Sequence, residues 1–339
     1  MLPLYFLQIE PTTRCNFTCG FCAGRSMPQQ DLAFAQFEKL LAALPPLRHI
    51  ELQGEGETLL HPRFLDMVSA LRKRDIRVSL ITNGSLVTPT LASAIGALGV
   101  EKVSVSMETA DPETFQRIRG GKFDKVLAGL KALVAAKQQG ARPLVGLSVT
   151  VLRQTRDHLP QILDLYEELG LDGGVTLQPL SSMPVYQTNY PPELLQQTLS
   201  PAEVDDLWVS MRFSKKLKLI NKRKDRLAVR GFYDELLASF SPGQRKCPWL
   251  AAGLYVNRKG EATACCMIKD TAQWGLGVIG ENRLEDILLR RQALADELAT
   301  GRLPTPCQGC ELGRFALLSR WQLVSFALGG TFRLLKKYL

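Results

Sequence analysis

The 339-residue chain has only three histidines, and its eight cysteines leave a long gap, with none between Cys22 and Cys247. No apolar run approaches the roughly 20 residues of a membrane span. Even Leu317–Leu328 is interrupted by Arg320 and Gln322. Met1 to Ile9 is apolar but has no basic n-region and no small-residue cleavage site, so no secretory signal is expected. Acids are outnumbered by bases, 33 to 42, for a formal net charge of +9. With 45% hydrophobic and 22% charged residues, the composition is that of a globular chain and not of a mainly disordered one. These absences point to a cytoplasmic, reducing compartment, where cysteines seldom form disulfides. The thiols are nonetheless clustered. Cys15, Cys19 and Cys22 fall within eight residues, and Cys247, Cys265, Cys266, Cys307 and Cys310 fall in the last hundred. Two separated thiol groups in such a chain point to metal chemistry.

The first 180 residues alternate short apolar, mostly β-branched runs with amphipathic segments. Strands are predicted at Tyr5–Ile9, His49–Leu52, Val78–Thr82, Val103–Met107, Val145–Val151 and Val175–Leu177. Helices are predicted at Leu32–Leu44, His61–Arg74, Pro89–Leu98, Asp111–Gly120, Lys122–Gly140 and His158–Leu169. Thr88-Pro89 and Asp111-Pro112 place a capping side chain before a first-turn proline. Gly170 is a helix stop. The alternation predicts an α/β fold with a parallel sheet and helices outside it. Six units are too few for an eight-stranded barrel, so a partial (β/α)6 barrel or an open sheet is expected, with ligands at the C-terminal strand ends. The chain divides into a strand–helix region (1–195), a basic helical connector (196–245), a second thiol domain of α+β type (246–312) and an amphipathic tail (313–339). Residues 181–199, rich in Pro, Gln, Ser and Thr, read as a connection.

Cys15-Asn-Phe-Thr-Cys19-Gly-Phe21-Cys22 follows the first strand. Structural zinc takes four protein ligands, and only three thiols are local. Three thiolates on a four-iron cluster would leave one iron without a protein ligand, able to bind an external chelating molecule, whereas redox-only sites use four cysteines. Cys-x3-Cys-x2-Cys with an aromatic, Phe21, before the last cysteine resembles the radical S-adenosylmethionine (SAM) superfamily. The resemblance implies that the open iron chelates the methionine part of SAM, and that cleavage of SAM yields a 5′-deoxyadenosyl radical that takes a hydrogen atom from the substrate. It extends to the other strand ends. Gly54-Glu-Gly56-Glu57 resembles the element that holds the SAM amino group, with Thr58 where the family has proline. Asn83 ends the third strand. Ser104-Val-Ser106-Met-Glu108 resembles the element that contacts the ribose and carboxylate, and Leu177 is expected against the adenine. Taken singly, Asn83, Ser106 and Leu177 also suit a turn, a cap and a core position.

Cys247-Pro-Trp precedes a strand-like Gly253–Asn257 run and a turn at Arg258-Lys-Gly260. A second strand leads to Cys265-Cys266, and a helix at Leu284–Thr300 precedes Cys307 and Cys310. This resembles the twitch, or shortened SPASM, appendage of radical SAM enzymes. It implies one auxiliary [4Fe–4S] cluster on Cys247, Cys265, Cys307 and Cys310. A four-cysteine zinc site has similar spacings. Consecutive strand residues face opposite sides, so Cys266 is left over. It reads as a small buried hydrophobe or as a catalytic hydrogen-atom donor.

The resemblance implies two [4Fe–4S] clusters, SAM as co-substrate and an external electron donor such as flavodoxin or ferredoxin. The expected activity is that of an oxidoreductase: dehydrogenation of a hydroxylated small molecule such as a sugar or aminocyclitol, phosphorylated or anionic forms included, with the auxiliary cluster accepting an electron. Epimerisation with Cys266 as hydrogen donor and peptide maturation are the alternatives. A non-catalytic iron–sulfur or zinc protein is the contrasting class. Arg212–Arg230 carries nine Lys/Arg and one acid, Asp225. It suits a solvated face or an anionic partner, and without interleaved aromatics it does not point to nucleic acid. The tail, with Leu317, Trp321, Val324 and Leu328 at helical spacing, suits either packing on the barrel or peripheral membrane contact. His49, His61 and His158 are the histidines available as a base.

Overall fold

The computed structural model describes residues 2–137, 142–213, 244–319 and 321–322. The basic stretch 215–230 and the tail beyond residue 322 lie outside the described residues. Nine strands form one sheet in the order β6-β5-β4-β3-β2-β1-β7-β8-β9. β1 (Phe6–Ile9), β2 (His49–Leu52), β3 (Arg77–Thr82), β4 (Lys102–Ser106), β5 (Leu144–Val151) and β6 (Val175–Pro179) run parallel to their neighbours. This is the expected partial barrel, with an open sheet.

The strand sequences explain which face points where, because successive residues alternate sides. On β4, Val103 and Val105 are fully buried against the helices, while Lys102, Ser104 and Ser106 point to the concave side. On β2, Ile50 and Leu52 take the helix side, and His49 and Glu51 the concave side. β5 repeats this with Leu147 and Val149 against Ser148 and Thr150. The concave face is thus lined with polar side chains, unlike the apolar layers that fill a complete (β/α)8 barrel.

The helices cover the convex side with apolar stripes at helical spacing. α1 (Phe34–Ala43) buries Phe37, Leu40 and Leu41. α2 (Phe64–Arg72) buries Phe64, Met67, Val68 and Leu71. α3 (Pro89–Ala97) is capped by Thr88, whose side chain accepts from the Leu91 amide. α4 (Pro112–Arg119) is capped by Asp111 in the same way and stops at left-handed Gly120 (φ 67°). α5 (Phe123–Lys137) and α6 (Leu159–Glu168) complete the layer. At Gly129 of α5, a Cβ would lie 2.1 Å from the Gly84 carbonyl oxygen, so the helix sits against the loop after β3 only because the side chain is absent.

Two features go beyond what the sequence pattern shows. The connection at 181–199 contains two helical turns, Pro184–Gln187 and Pro192–Leu195. Both start at a proline, which suits a first turn because it has no amide hydrogen to satisfy there. The C-terminal region does not build a sheet of its own. β7 (Gly253–Val256) pairs parallel to β1, and β8 (Glu261–Thr263) and β9 (Gly277–Val278) extend that edge antiparallel. The sheet is therefore continuous across the boundary drawn at residue 245.

Candidate functional site

The loops after the parallel strands converge on a cavity of ≈ 180 Å³. Cys15, Cys19, Phe21 and Cys22 come from the loop after β1, and Gly56 and Glu57 from the loop after β2. Asn83 follows β3, Ser106 ends β4, and Glu108 lies just beyond it; all line the same cavity. The structure thus brings together every expected SAM-site residue except Leu177. That residue lines a second cavity below, while Pro179 and Leu180, further along the same strand and its loop, line the first.

Close backbone packing sets this arrangement. Glu57 donates its amide to the Arg14 carbonyl at 2.8 Å, and a Cβ on Gly56 would lie 2.4 Å from the Thr12 carbonyl oxygen. Only glycine lets the second loop lie so close to the cysteine loop. The Glu57 carboxylate accepts from Thr82 Oγ1 (2.6 Å), the Asn83 amide (2.6 Å) and the Leu59 amide (3.1 Å). Burial nevertheless pushes its carboxyl above the usual range. Asn83 Nδ2 donates to Asn16 Oδ1 at 2.8 Å, tying the third strand end to the cysteine loop. Glu108 forms a buried ion pair with Arg119, at 2.7 Å.

The chemistry of the donor set fits an iron–sulfur cluster. Cys15, Cys19 and Cys22 are soft thiols on one loop, with Gly20 between them facing open space. They stand around a wall and do not converge on one point: among the described residues no three His, Cys, Asp or Glu side chains come close enough to hold a single metal ion. Burial pushes all three thiols up, Cys22 most clearly, with Glu55 adding to the shift. Bound iron would supply the positive charge that favours the thiolate.

Cys247, Cys265, Cys307 and Cys310 line the second cavity, of ≈ 300 Å³. Cys247 and Cys310 are the residues just before two helices, Pro248–Ala252 and Glu311–Leu317. Cys265 follows β8. Burial pushes Cys247 up to about 12, with Cys310 adding to the shift, and raises Cys265, with Cys266, Cys307 and Cys310 adding to it. With Cys266, five thiols line this cavity; a fully ligated cluster takes four. Cys266 lines both cavities. Its thiol is pushed up to about 12 by burial, with Lys269 lowering it and Glu55 and Glu51 raising it.

Of the three histidines, His49 lines the second cavity, with Nε2 2.8 Å from Ser79 Oγ. His61 hydrogen-bonds the Leu32 carbonyl and accepts the Arg63 amide, and His158 meets Thr109. Among the cavity residues that the sequence does not single out are four with charged or phenolic side chains that pair with one another or with the expected site residues: Glu55, Arg119, Tyr186 and Lys269. Glu55 sits inside a motif read for its second glutamate. Tyr186 lies in the stretch read as a connection. Arg119 and Lys269 carry no local pattern.

The fold and site resemble those of radical SAM proteins. Residues 9–166 match the family model described as the radical SAM superfamily, and the chain carries a radical SAM domain. It is 31% identical over 179 residues to a tungsten-containing aldehyde ferredoxin oxidoreductase cofactor-modifying protein of Pyrococcus furiosus, an alignment covering 49% of each chain. It is 28% identical over 306 residues to a probable GTP 3′,8-cyclase of Thermoplasma volcanium, covering 86% of this chain and 88% of the relative. The chain therefore spans about half the length of the first relative and most of the second. The solved structure of Streptococcus suis SuiB bound to precursor peptide SuiA superposes with a TM-score of 0.68 at 14% identity, over 93% of this chain and 71% of that one, which shows a shared fold. Among the described residues no helix is long and apolar enough to cross a membrane.

Proposed function

We propose that this radical SAM enzyme is an oxidoreductase that dehydrogenates a hydroxylated small molecule, such as a sugar or aminocyclitol, using two [4Fe–4S] clusters. Cys15, Cys19 and Cys22 would hold the SAM-binding cluster, and Cys247, Cys265, Cys307 and Cys310 the auxiliary one. When bound, the first cluster and SAM would supply hydrogen-atom abstraction from a hydroxyl-bearing carbon, and the auxiliary cluster would be the acceptor of the second electron lost as the hydroxyl becomes a carbonyl.

One observation carries the reading: both thiol groups open on cavities that share a wall. Gln8, Gln53, Ser148, Gln178 and Ser181 line both. These neutral donors and acceptors suit hydroxyl groups. Arg119 and Lys269 line the upper cavity but are paired there with Glu108 and Glu55, so an anionic or phosphorylated substrate would have to draw them from those partners. Gly56, Glu57, Asn83, Ser106 and Glu108 orient the co-substrate, and Phe21 walls it off from solvent. A flavodoxin or ferredoxin would supply the first electron, and the site is cytoplasmic.

The place of Cys266 favours a second reading. Its thiol lines both cavities, where it would reach a substrate radical and donate hydrogen, giving an epimer. Anaerobic reconstitution tests the pair of clusters: about eight irons per chain is expected, since each cube has four. About four irons with one zinc would remove the auxiliary cluster. Sugars, aminocyclitols and nucleotides that raise 5′-deoxyadenosine release above the substrate-free rate then identify the substrate class. With that substrate, Cys266→Ala spares product formation in a dehydrogenase and abolishes it in an epimerase.

A further inference from the structure

Lys269 belongs to the C-terminal cysteine region, three residues after Cys266, but its side chain reaches Glu55 on the loop after β2, which packs against the first cysteine loop. Nζ lies 2.8 Å from Glu55 Oε1, with the two side chains only 5% and 11% exposed. The same ammonium stands 4.2 Å from the centre of the Tyr255 ring. The Glu55 carboxylate also accepts from the Tyr186 hydroxyl, 3.1 Å from each oxygen. Its Oε2 lies 3.3 Å from Cys22 Sγ, and the Glu55 carbonyl oxygen lies 3.2 Å from that sulfur.

Glu55 cannot retreat from the sulfur. Its amide donates to Glu10 Oε1 at 2.9 Å. A Cβ on Gly24 would lie 2.7 Å from the Glu55 carbonyl oxygen, so the two loops are in tight contact. A carboxylate fixed beside a metal-binding sulfur adds negative charge where the thiolate is already negative. Such a buried charge is tolerated when paired. The partner charge comes from the other end of the chain.

We propose that Glu55 and Lys269 are a positioning pair for Cys22: two buried opposite charges, one from the loop after β2 and one from the C-terminal cysteine region, that set the electric field at the Cys22 sulfur and so the reduction potential of the cluster it would hold. The proposal rests on Cys22 being a cluster ligand. It ties the C-terminal region to the SAM site through charge as well as through the shared cavity wall. Low dielectric around buried groups makes each charge count for more than it would in water.

The test is a potentiometric titration of the anaerobically reconstituted full chain, following the electron paramagnetic resonance signal that responds to SAM. Glu55→Gln removes the negative charge and leaves Lys269, so the midpoint potential moves up. Adding Lys269→Met to that variant brings it back towards wild type. Lys269→Arg keeps the charge and leaves the potential unchanged. An unchanged or lowered potential in Glu55→Gln overturns the proposal, as does a double variant that matches the single one. Should Glu55→Gln lose its iron, Lys269→Gln carries the test: its potential must move down, and an upward or absent shift overturns the pair. Cys22→Ala must lose the SAM-responsive signal altogether. If it keeps the signal, the fault lies with the ligand role of Cys22 and not with the charge pair.

Discussion

The two thiol groups are built in opposite ways. Cys15, Cys19 and Cys22 sit on one loop after β1, so their spacing alone brings them to one cavity wall. Cys247, Cys265, Cys307 and Cys310 come from two helix starts, the end of a hairpin and a single-turn helix, and meet at one cavity beside the strand pairing of β7 with β1. The local group has three thiols and faces the loops that fit a co-substrate. The assembled group has four, enough to saturate a cluster. The difference teaches that a local motif reports chemistry directly, whereas an assembled one depends on the fold holding its parts in register.

The largest effect expected from breaking this contrast is at the local group. Cys22→Ala should reduce 5′-deoxyadenosine release from SAM and reductant to the protein-free background, measured by chromatography. Retained release would remove Cys22 from the SAM site. Cys307→Ala should instead lower the iron content by about four per chain while leaving substrate-free SAM cleavage detectable. Loss of cleavage together with the iron would show that the two groups do not act separately.

Smaller effects sharpen the comparison by testing what holds the local group. Arg119 and Glu108 are buried and paired, and the Arg119 carbonyl lies 3.7 Å from Cys19 Sγ. Arg119→Met leaves Glu108 unpaired and should cost about 3–5 kcal/mol in urea unfolding, the usual loss when one partner of a buried pair is removed. A cost near zero would mean that Glu108 finds another partner. Thr88→Ala, on the outer layer and remote from both thiol groups, should cost about 1 kcal/mol through its lost helix cap. Iron content and SAM cleavage should not change. A fall in either would tie the outer helices to the site.

Much of the barrel was legible because its signals are local. The predicted strand His49–Leu52 matches the observed one, and the proline-started helices at residues 89 and 112 carry the expected caps. Leu284–Thr300 forms a helix over Leu284–Ala299. The reading failed where contacts are long-range. Nothing near β7 says that it pairs with β1. Tyr186 gave no signal in a Pro- and Gln-rich stretch, yet its hydroxyl reaches Glu55, 131 residues away in sequence. Lys269 and Glu55 meet across the whole chain. Leu177 illustrates a register limit: β6 runs on to Pro179, which places Leu177 deeper than a strand-end residue and beside the second cavity.

The central claim is that three thiols near the start of the chain hold an iron cluster open to SAM. Its most direct test is the electron paramagnetic resonance spectrum of the reduced, anaerobically reconstituted protein before and after SAM is added. The account predicts a spectrum that changes with SAM in the wild type and in Cys307→Ala, and no such response in Cys22→Ala. A wild-type spectrum that stays the same when SAM is added would contradict it.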